Sequence, residues 1–352
     1  MLLFDKLLII IDRVRLHIEI NHMFKNCWYA VEFSNLISTS PKLLKILDRE
    51  LVLYRTSDGR IQAIDNTCVH RGAALVNGSI DGDCIVCPYH GWHYQPDGIC
   101  VKIPANSPTA TIPKQARMTT YPVREQHGWI WLFIGDGEVS DLPIIPNFPQ
   151  LELGDLRAIQ GEFSWNANYE RVLENGLDFA HAPFVHAGAF GNPKLPEIAE
   201  LEIEHYPGGA SATVSLAATP PKGLWKFLIR GERAPIKTRT GFWLPNLTFL
   251  EVYLPFGKLI IWTAHVPTIE TLPGNIERHT TVSKWINFRT FFRGKWADRD
   301  AFDRTIKIFT QDKPIVESQQ PQTIPTDLQA ELFVAADALQ LQYRKLRQQM
   351  SR

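Results

Sequence analysis

The chain has 352 residues, 45% of them hydrophobic, and its 37 lysines and arginines balance its 37 aspartates and glutamates. That length can bury two cores, and the balanced charge, with no block of one sign, excludes capture of nucleic acid by a basic surface. The longest purely aliphatic run, LLIII at 7–11, is flanked by Lys6 and Asp12, far short of the roughly 20 residues a bilayer span needs. No transmembrane segment is expected. Asp5 and Asp12 also break the apolar stretch of a secretory signal, and five cysteines are an odd number, so a reducing, cytoplasmic setting is expected. Residues 1–23 read as an N-terminal extension. Met23 opens the strand-like MFKNCWYAVEF, so translation from Met23 is one reading. The other is an amphipathic helix with Leu3, Leu7, Ile10 and Val14 on one stripe.

From 24 to 136 the text predicts an all-β domain. CWYAV, LVLYRT, IQAID and WIWLFIG are short, rich in β-branched and aromatic residues, and separated by turn formers such as SDGR and PDG. Within it, CVHRGAALVNGSIDGDCIVCPYHGW, residues 68–92, gathers three cysteines and two histidines. Cys68 and His70 form a C-x-H pair, and Cys87 and His90 a C-x2-H pair sixteen residues on. A Cys2His2 zinc site and a Cys84–Cys100 disulfide are bland alternatives. Zinc sites usually pair like with like, whereas each loop here offers one thiolate and one imidazole. That mixing suits a two-iron, two-sulfide cluster with two cysteines on one iron and two histidines on the other.

The stretches C-x-H-R-G-A and C-P-Y-H-G-W closely resemble the Rieske domain of Rieske non-haem iron oxygenases. The resemblance implies Cys68 and Cys87 on one iron and His70 and His90 on the other. Gly72 and Gly91 then fit loop positions where a side chain would crowd the cluster or its backbone. Cys84 lies outside the motif and reads as a small buried hydrophobe. Ala73 stands near the point where respiratory Rieske proteins carry an extra cysteine, so their disulfide is not expected. A potential at the low end of the Rieske range, which begins at roughly −150 mV, follows.

The segment 136–150, DGEVSDLPIIPNFPQ, carries three prolines and no periodicity and reads as a linker. Beyond it, 137–352 reads as an α+β catalytic domain. A helix is predicted near 166–182, inside NYERVLENGLDFAHAPFVHAGAF. Asn175, Asp178 and His181 are spaced by three and would share one helical ridge. His186 lies five beyond His181, and a bend at Pro183 would swing it back to the same ion. Alone, D-x2-H-x4-H equally describes two buried, satisfied histidines. Beside a Rieske motif it resembles the family's mononuclear iron site, where two histidines and a carboxylate hold one face of ferrous iron and leave room for dioxygen. The resemblance implies His181 and His186 as ligands. It implies that Asp178 hydrogen-bonds His181 and His90 of the partner subunit, so that electrons cross between chains of a ring, most often a homotrimer. Asn175 reads as lining that path or as a helix-surface amide.

Strand candidates follow at 200–216 and 241–266, and a helical run at 297–310. Phe242, Trp243, Leu250, Tyr253 and Trp262 read either as walls of an apolar cavity or as sheet core. Lys226, Arg230, Arg233, Lys237 and Arg239 read either as partners for a substrate carboxylate or as a solvated hairpin. The third iron ligand is implied within FTQDKPIVESQQ at 309–320, with Asp312 first and Asp303 and Asp300 behind it. Leu328, Leu332, Ala335, Leu339 and Leu346 fall on one stripe of a final predicted helix.

The resemblance runs from Met23 onward and is closest to the vanillate demethylase, chlorophyllide a oxygenase and pheophorbide a oxygenase groups. It implies a terminal oxygenase fed by a ferredoxin or flavin reductase, ultimately from NAD(P)H. Electrons would pass through the Rieske cluster to mononuclear Fe(II), activating O2 to hydroxylate or oxidatively demethylate an aromatic or cyclic small molecule. Ring cis-dihydroxylation is the second reading. A pure electron-transfer Rieske protein and a hydrophobic-ligand carrier are rivals of other classes. The ending YRKLRQQMSR lacks the anchoring tail of pheophorbide-type enzymes, which argues against a tetrapyrrole substrate.

Overall fold

The computed structural model describes residues 24–350 apart from 108, 137–141, 149–155, 188–191, 199–200, 218–234 and 275. The extension before residue 24 therefore lies outside the described residues. The first half is built from three small antiparallel sheets. One pairs Cys27–Phe33 with Trp129–Ile134 and adds Val123–Gln126; the second runs Lys42–Ile46, Arg49–Arg55, Ile61–Asp65 and Thr120–Tyr121. The third, Ser79–Asp81, Cys84–Val86, His93–Tyr94 and Cys100–Lys102, lies between and beside the two Cys-His loops. Its strands are too short to be stable alone. They are held by a core of Val52, Tyr54, Ile64, Leu75, Ile85 and Tyr94 into which Cys68 and Cys87 are set.

The second half is one seven-stranded antiparallel sheet in the order Arg157–Trp165, Ile276–Arg289, Gly257–Leu272, Leu247–Leu254, Ile236–Trp243, Gly209–Leu216, Glu202–Tyr206. Helix α1 (Tyr169–Leu177) lies on this sheet through Val172, Leu173 and Leu177, and starts where the Asn168 side chain accepts the Glu170 N–H at 2.9 Å. Helix α2 (Ala182–Val185) is a single turn. Helix α3 (Asp298–Val316) packs on the edge strand, and α4 (Ala338–Met350) on α1 and the strand Gly209–Leu216.

Four expectations about elements are corrected. The predicted helix over 166–182 stops at Leu177, because Asp178 is extended and its carboxylate takes the Ala180 N–H at 2.7 Å, turning the chain. Asn175, Asp178 and His181 therefore do not share one helical ridge. Pro183 does not make the bend; it sits in the first turn of α2, where its missing N–H costs nothing. The final helix begins at Ala338, after the Asp337 carboxylate accepts the Val334 N–H, and Leu332 is 91% exposed. In the segment read as a linker, Leu142, Ile145 and Phe148 are buried with Trp28, Trp131, Trp243 and Trp262 in a core shared by both halves. Pro143 and Pro146 there belong to a packed strap rather than a solvated tether.

Candidate metal centres and substrate cavity

The two Cys-His loops are built alike. Cys68 N–H donates to Ala73 O at 2.9 Å and Gly72 N–H to Cys68 O at 2.9 Å; Cys87 N–H donates to Trp92 O at 2.9 Å and Gly91 N–H to Cys87 O at 3.0 Å. Each turn closes through a glycine four residues after the cysteine, with φ of 72° at Gly72 and 67° at Gly91. Those left-handed conformations favour glycine at both positions, and at Gly72 an added Cβ would meet no protein atom within 4 Å. Both thiols are buried while His90 is exposed, and the His70 and His90 rings lie 4.6 Å apart, with His70 stacked on Trp92 at 4.3 Å.

The donor set fits an iron–sulfur cluster. All five cysteines are free, so Cys84 and Cys100 form no disulfide, and Cys84 is half-buried. His70 Nδ1 is buried without a hydrogen-bond partner among the described residues. Burial pushes the Cys87 thiol up, so a thiolate there calls for a bound cation. The two cysteines and two histidines do not close to single-ion distances, unlike the second centre below. That spread suits two bridged metals better than one zinc.

The second centre joins α2 to α3. His181 Nε2 and His186 Nε2 are 3.3 Å apart, and Asp312 Oδ1 lies 3.1 Å from the latter and 3.6 Å from the former. Asp312, on the buried side of α3, is thus brought to both histidines. Asp300 and Asp303 are not: they are exposed and pair along the helix with Arg304 and Arg299. Donors bonded to one metal at about 2.1 Å and meeting at right or tetrahedral angles lie roughly 3.0–3.5 Å apart. The chemistry agrees. The Gln311 amide oxygen stands 3.0 Å from His186 Nδ1 and only accepts, so Nδ1 carries the proton and Nε2 turns a lone pair toward Asp312. An imidazole nitrogen and a carboxylate oxygen at 3.1 Å need a proton or a metal cation between them. Gln311 was not singled out from sequence, although it stands next to Asp312.

Asp178 Oδ2 lies 3.6 Å from His181 Nδ1, at the limit of an ion pair. Burial opposes charge on the His181 ring, yet Asp178 and Asp312 hold it above the ordinary imidazole range. The site is electron-rich before any metal arrives.

A cavity of about 150 Å³ opens from these ligands between α1, α3 and the sheet. Asn175 and Asp178 line it, and so does Leu250. Phe242, Trp243 and Trp262 do not; they are core. Tyr253 stays out of the cavity lining too, its hydroxyl donating to Glu251 at 2.6 Å. Strand alternation explains the basic residues as well. Thr238 and Thr240 face the cavity, so Lys237 and Arg239 point the other way. Lys226, Arg230 and Arg233 lie outside the described residues. Sequence reading missed Thr248 and His265, which line the cavity side by side, Thr248 Oγ1 lying 2.9 Å from His265 Nε2.

Comparison with known proteins bears on both halves. Residues 27–121 match the Rieske [2Fe-2S] domain, and 165–352 match the vanillate O-demethylase oxygenase C-terminal domain. The chain belongs to the Rieske oxygenase family. This Rieske oxygenase is 30% identical over 313 residues to a methylxanthine N1-demethylase of Pseudomonas putida, spanning 88% of the chain and 82% of that protein. It is 29% identical over 212 residues to the dicamba O-demethylase oxygenase component of Stenotrophomonas maltophilia, 60% of this chain and 62% of that one. The solved structure of NdmA from Pseudomonas putida CBB5 with caffeine superposes with a TM-score of 0.74 at 27% identity, over 92% of this chain and 90% of that one. As a Rieske oxygenase the protein is an O2-dependent oxidoreductase that uses a [2Fe-2S] cluster and a mononuclear iron. Among the described residues no helix is long and apolar enough to cross a membrane.

Proposed function

We propose that this Rieske oxygenase is a terminal component that oxidatively demethylates or hydroxylates an aromatic or cyclic small molecule held in the 150 Å³ cavity. In this reading Cys68 and Cys87 hold one iron of the cluster, His70 and His90 the other, and His181, His186 and Asp312 hold the mononuclear iron. When bound, these groups supply stored electrons and an oxygen-activating centre. The chain's own residues do the positioning. Gln311 fixes the His186 tautomer, and Asp178 orients His181 and reaches toward His90 of the partner subunit. Asn175 lines the route between Asp178 and the cavity. Apolar walls including Val172, Phe179 and Ile308 keep bulk water from the reacting carbon.

The observation that carries the reading is the triangle of acceptor atoms from His181, His186 and Asp312, open to a cavity rather than sealed in a core. Demethylation is favoured because the methylxanthine and dicamba relatives are demethylases by name. The same proposal includes a homotrimer, a ferredoxin or flavin reductase drawing on NAD(P)H, a cytoplasmic setting, and units of 1–23, 24–136 and 137–352. Exposed Val69 and Tyr89 beside the cluster loops, and exposed Phe184 beside the iron histidines, support the ring, since a subunit contact would cover them.

A screen of methoxy- and N-methyl-substituted ring compounds under 18O2 tests the function. Substrate-dependent oxygen uptake with one labelled atom per product, or release of formaldehyde, is expected. Two labelled atoms in one product would instead establish ring dihydroxylation. Oxygen uptake that no compound stimulates would remove the proposal.

A further inference from the structure

One wall of the cavity carries a buried hydrogen-bond chain. Trp165 Nε1 donates to Ser283 Oγ at 2.8 Å, Ser283 Oγ lies 2.9 Å from His265 Nδ1, and His265 Nε2 lies 2.9 Å from Thr248 Oγ1. All four residues are buried, and three of them, Trp165, His265 and Thr248, line the cavity. An indole N–H only donates, so the Ser283 oxygen is an acceptor at that end. Full burial pushes the His265 pKa down to about 3, so the ring is neutral, with one donor and one acceptor nitrogen.

A neutral imidazole between two hydroxyls can run the chain in either direction. With the proton on Nε2, His265 donates to Thr248, and the Thr248 hydroxyl hydrogen is left to point into the cavity. With the proton on Nδ1, Thr248 donates to His265 and turns a lone pair to the cavity. Thr248 thus offers a donor or an acceptor at little cost, but never a charge.

Away from the candidate iron site, charge is missing from the lining as well. Among the described residues that line the cavity there is no lysine or arginine; the acids are Asp178 and Asp312, which stand beside His181 and His186. Arg239, between Thr238 and Thr240 on its strand, faces away and pairs with Glu204 at 2.6 Å and Glu251 at 3.4 Å. A carboxylate entering this space would be stripped of water, and the two charges of a ferrous ion held there are already offset by Asp178 and Asp312.

We infer that the cavity selects an uncharged substrate whose hydrogen-bonding oxygen or nitrogen meets the Thr248 hydroxyl, held by the His265–Ser283–Trp165 chain, and that it turns carboxylates away. This rests on the oxygenase reading above. Thr248 is the contact residue, and His265 and Ser283 are positioning residues behind it.

The test measures binding to the anaerobic iron-loaded protein by equilibrium dialysis with 4-methoxybenzamide, 4-methoxybenzoate and 4-methylanisole. The amide is expected to bind at least tenfold more tightly than the benzoate. Thr248→Val, which keeps the shape and removes the hydroxyl, should weaken the amide about tenfold, shift 4-methylanisole less than twofold, and be rescued by Thr248→Ser. A benzoate that binds as well as the amide, an amide indifferent to Thr248→Val, or a panel that does not bind at all overturns the inference. Oxygen uptake separates the two levels. Uptake driven by the benzoate but not the amide leaves the oxygenase reading standing and removes this one. An iron-replete protein whose uptake no neutral or charged ring compound stimulates removes the oxygenase reading, and this inference falls with it.

Discussion

Tyr94 places its hydroxyl 3.1 Å from Cys68 Sγ, inside the core that surrounds the cluster loops. A hydrogen bond donated to a ligand sulfur favours the more electron-rich, reduced cluster and so raises the potential. Tyr94→Phe should therefore lower the midpoint by several tens of millivolts while leaving cluster content unchanged. A redox titration checks it, and an unmoved midpoint would show that the contact carries no electronic weight. The candidate ligands were nameable from residue type and spacing, and folding brings three of them, His181, His186 and Asp312, to one point. Their supporting partners were not. Tyr94 meets Cys68 across 26 positions and Gln311 meets His186 across 125, distances that only folding closes. His265 was hidden for another reason: a single histidine in an apolar strand carries no pattern.

At the level of elements, helix α1 is held from behind by ion pairs rather than by apolar packing alone. Arg344 of α4 reaches Glu174 at 2.8 Å and also pairs with Glu331, Arg347 pairs with Glu170, and Arg171 meets Glu331 at 2.7 Å. Such buried pairs are poor net stabilisers, but removing one partner leaves the other charge buried. Arg344→Ala should cost about 3–5 kcal/mol, read as a lower denaturant midpoint. Adding Glu174→Gln to that variant should return part of the loss. A cost under about 1 kcal/mol, the size of a surface pair, would show that the network is effectively solvated. Strands were legible from alternation and turn residues. The end of α1 was not, because periodicity continues through Asp178 and His181, while the Asp178 side chain satisfies the Ala180 N–H and stops the helix. That break matters to function, since it turns His181 out of line with Asn175 and toward Asp312.

In the whole molecule the cluster loops and the iron site belong to different cores, joined by a third that Trp28, Phe148 and Trp262 share. This arrangement fixes the halves against each other and leaves His90 exposed, toward a neighbouring chain in the proposed ring. Co-assembled chains carrying Cys87→Ala and Asp312→Ala should then regain substrate-dependent oxygen uptake that neither variant shows alone. Failure to regain it in verified mixed trimers would place electron transfer within one chain. The α+β layout was legible from the text of the strands, whereas the role of residues 142–148 was not, because prolines without periodicity describe a packed strap and a free tether equally well. The most direct test of the account is the iron and acid-labile sulfide content of the native protein and of Asp312→Ala, measured side by side. The prediction is about three irons and two sulfides per chain in the first, and about two of each in the second. Zinc in the cluster loops, or the same iron count in both proteins, would contradict it.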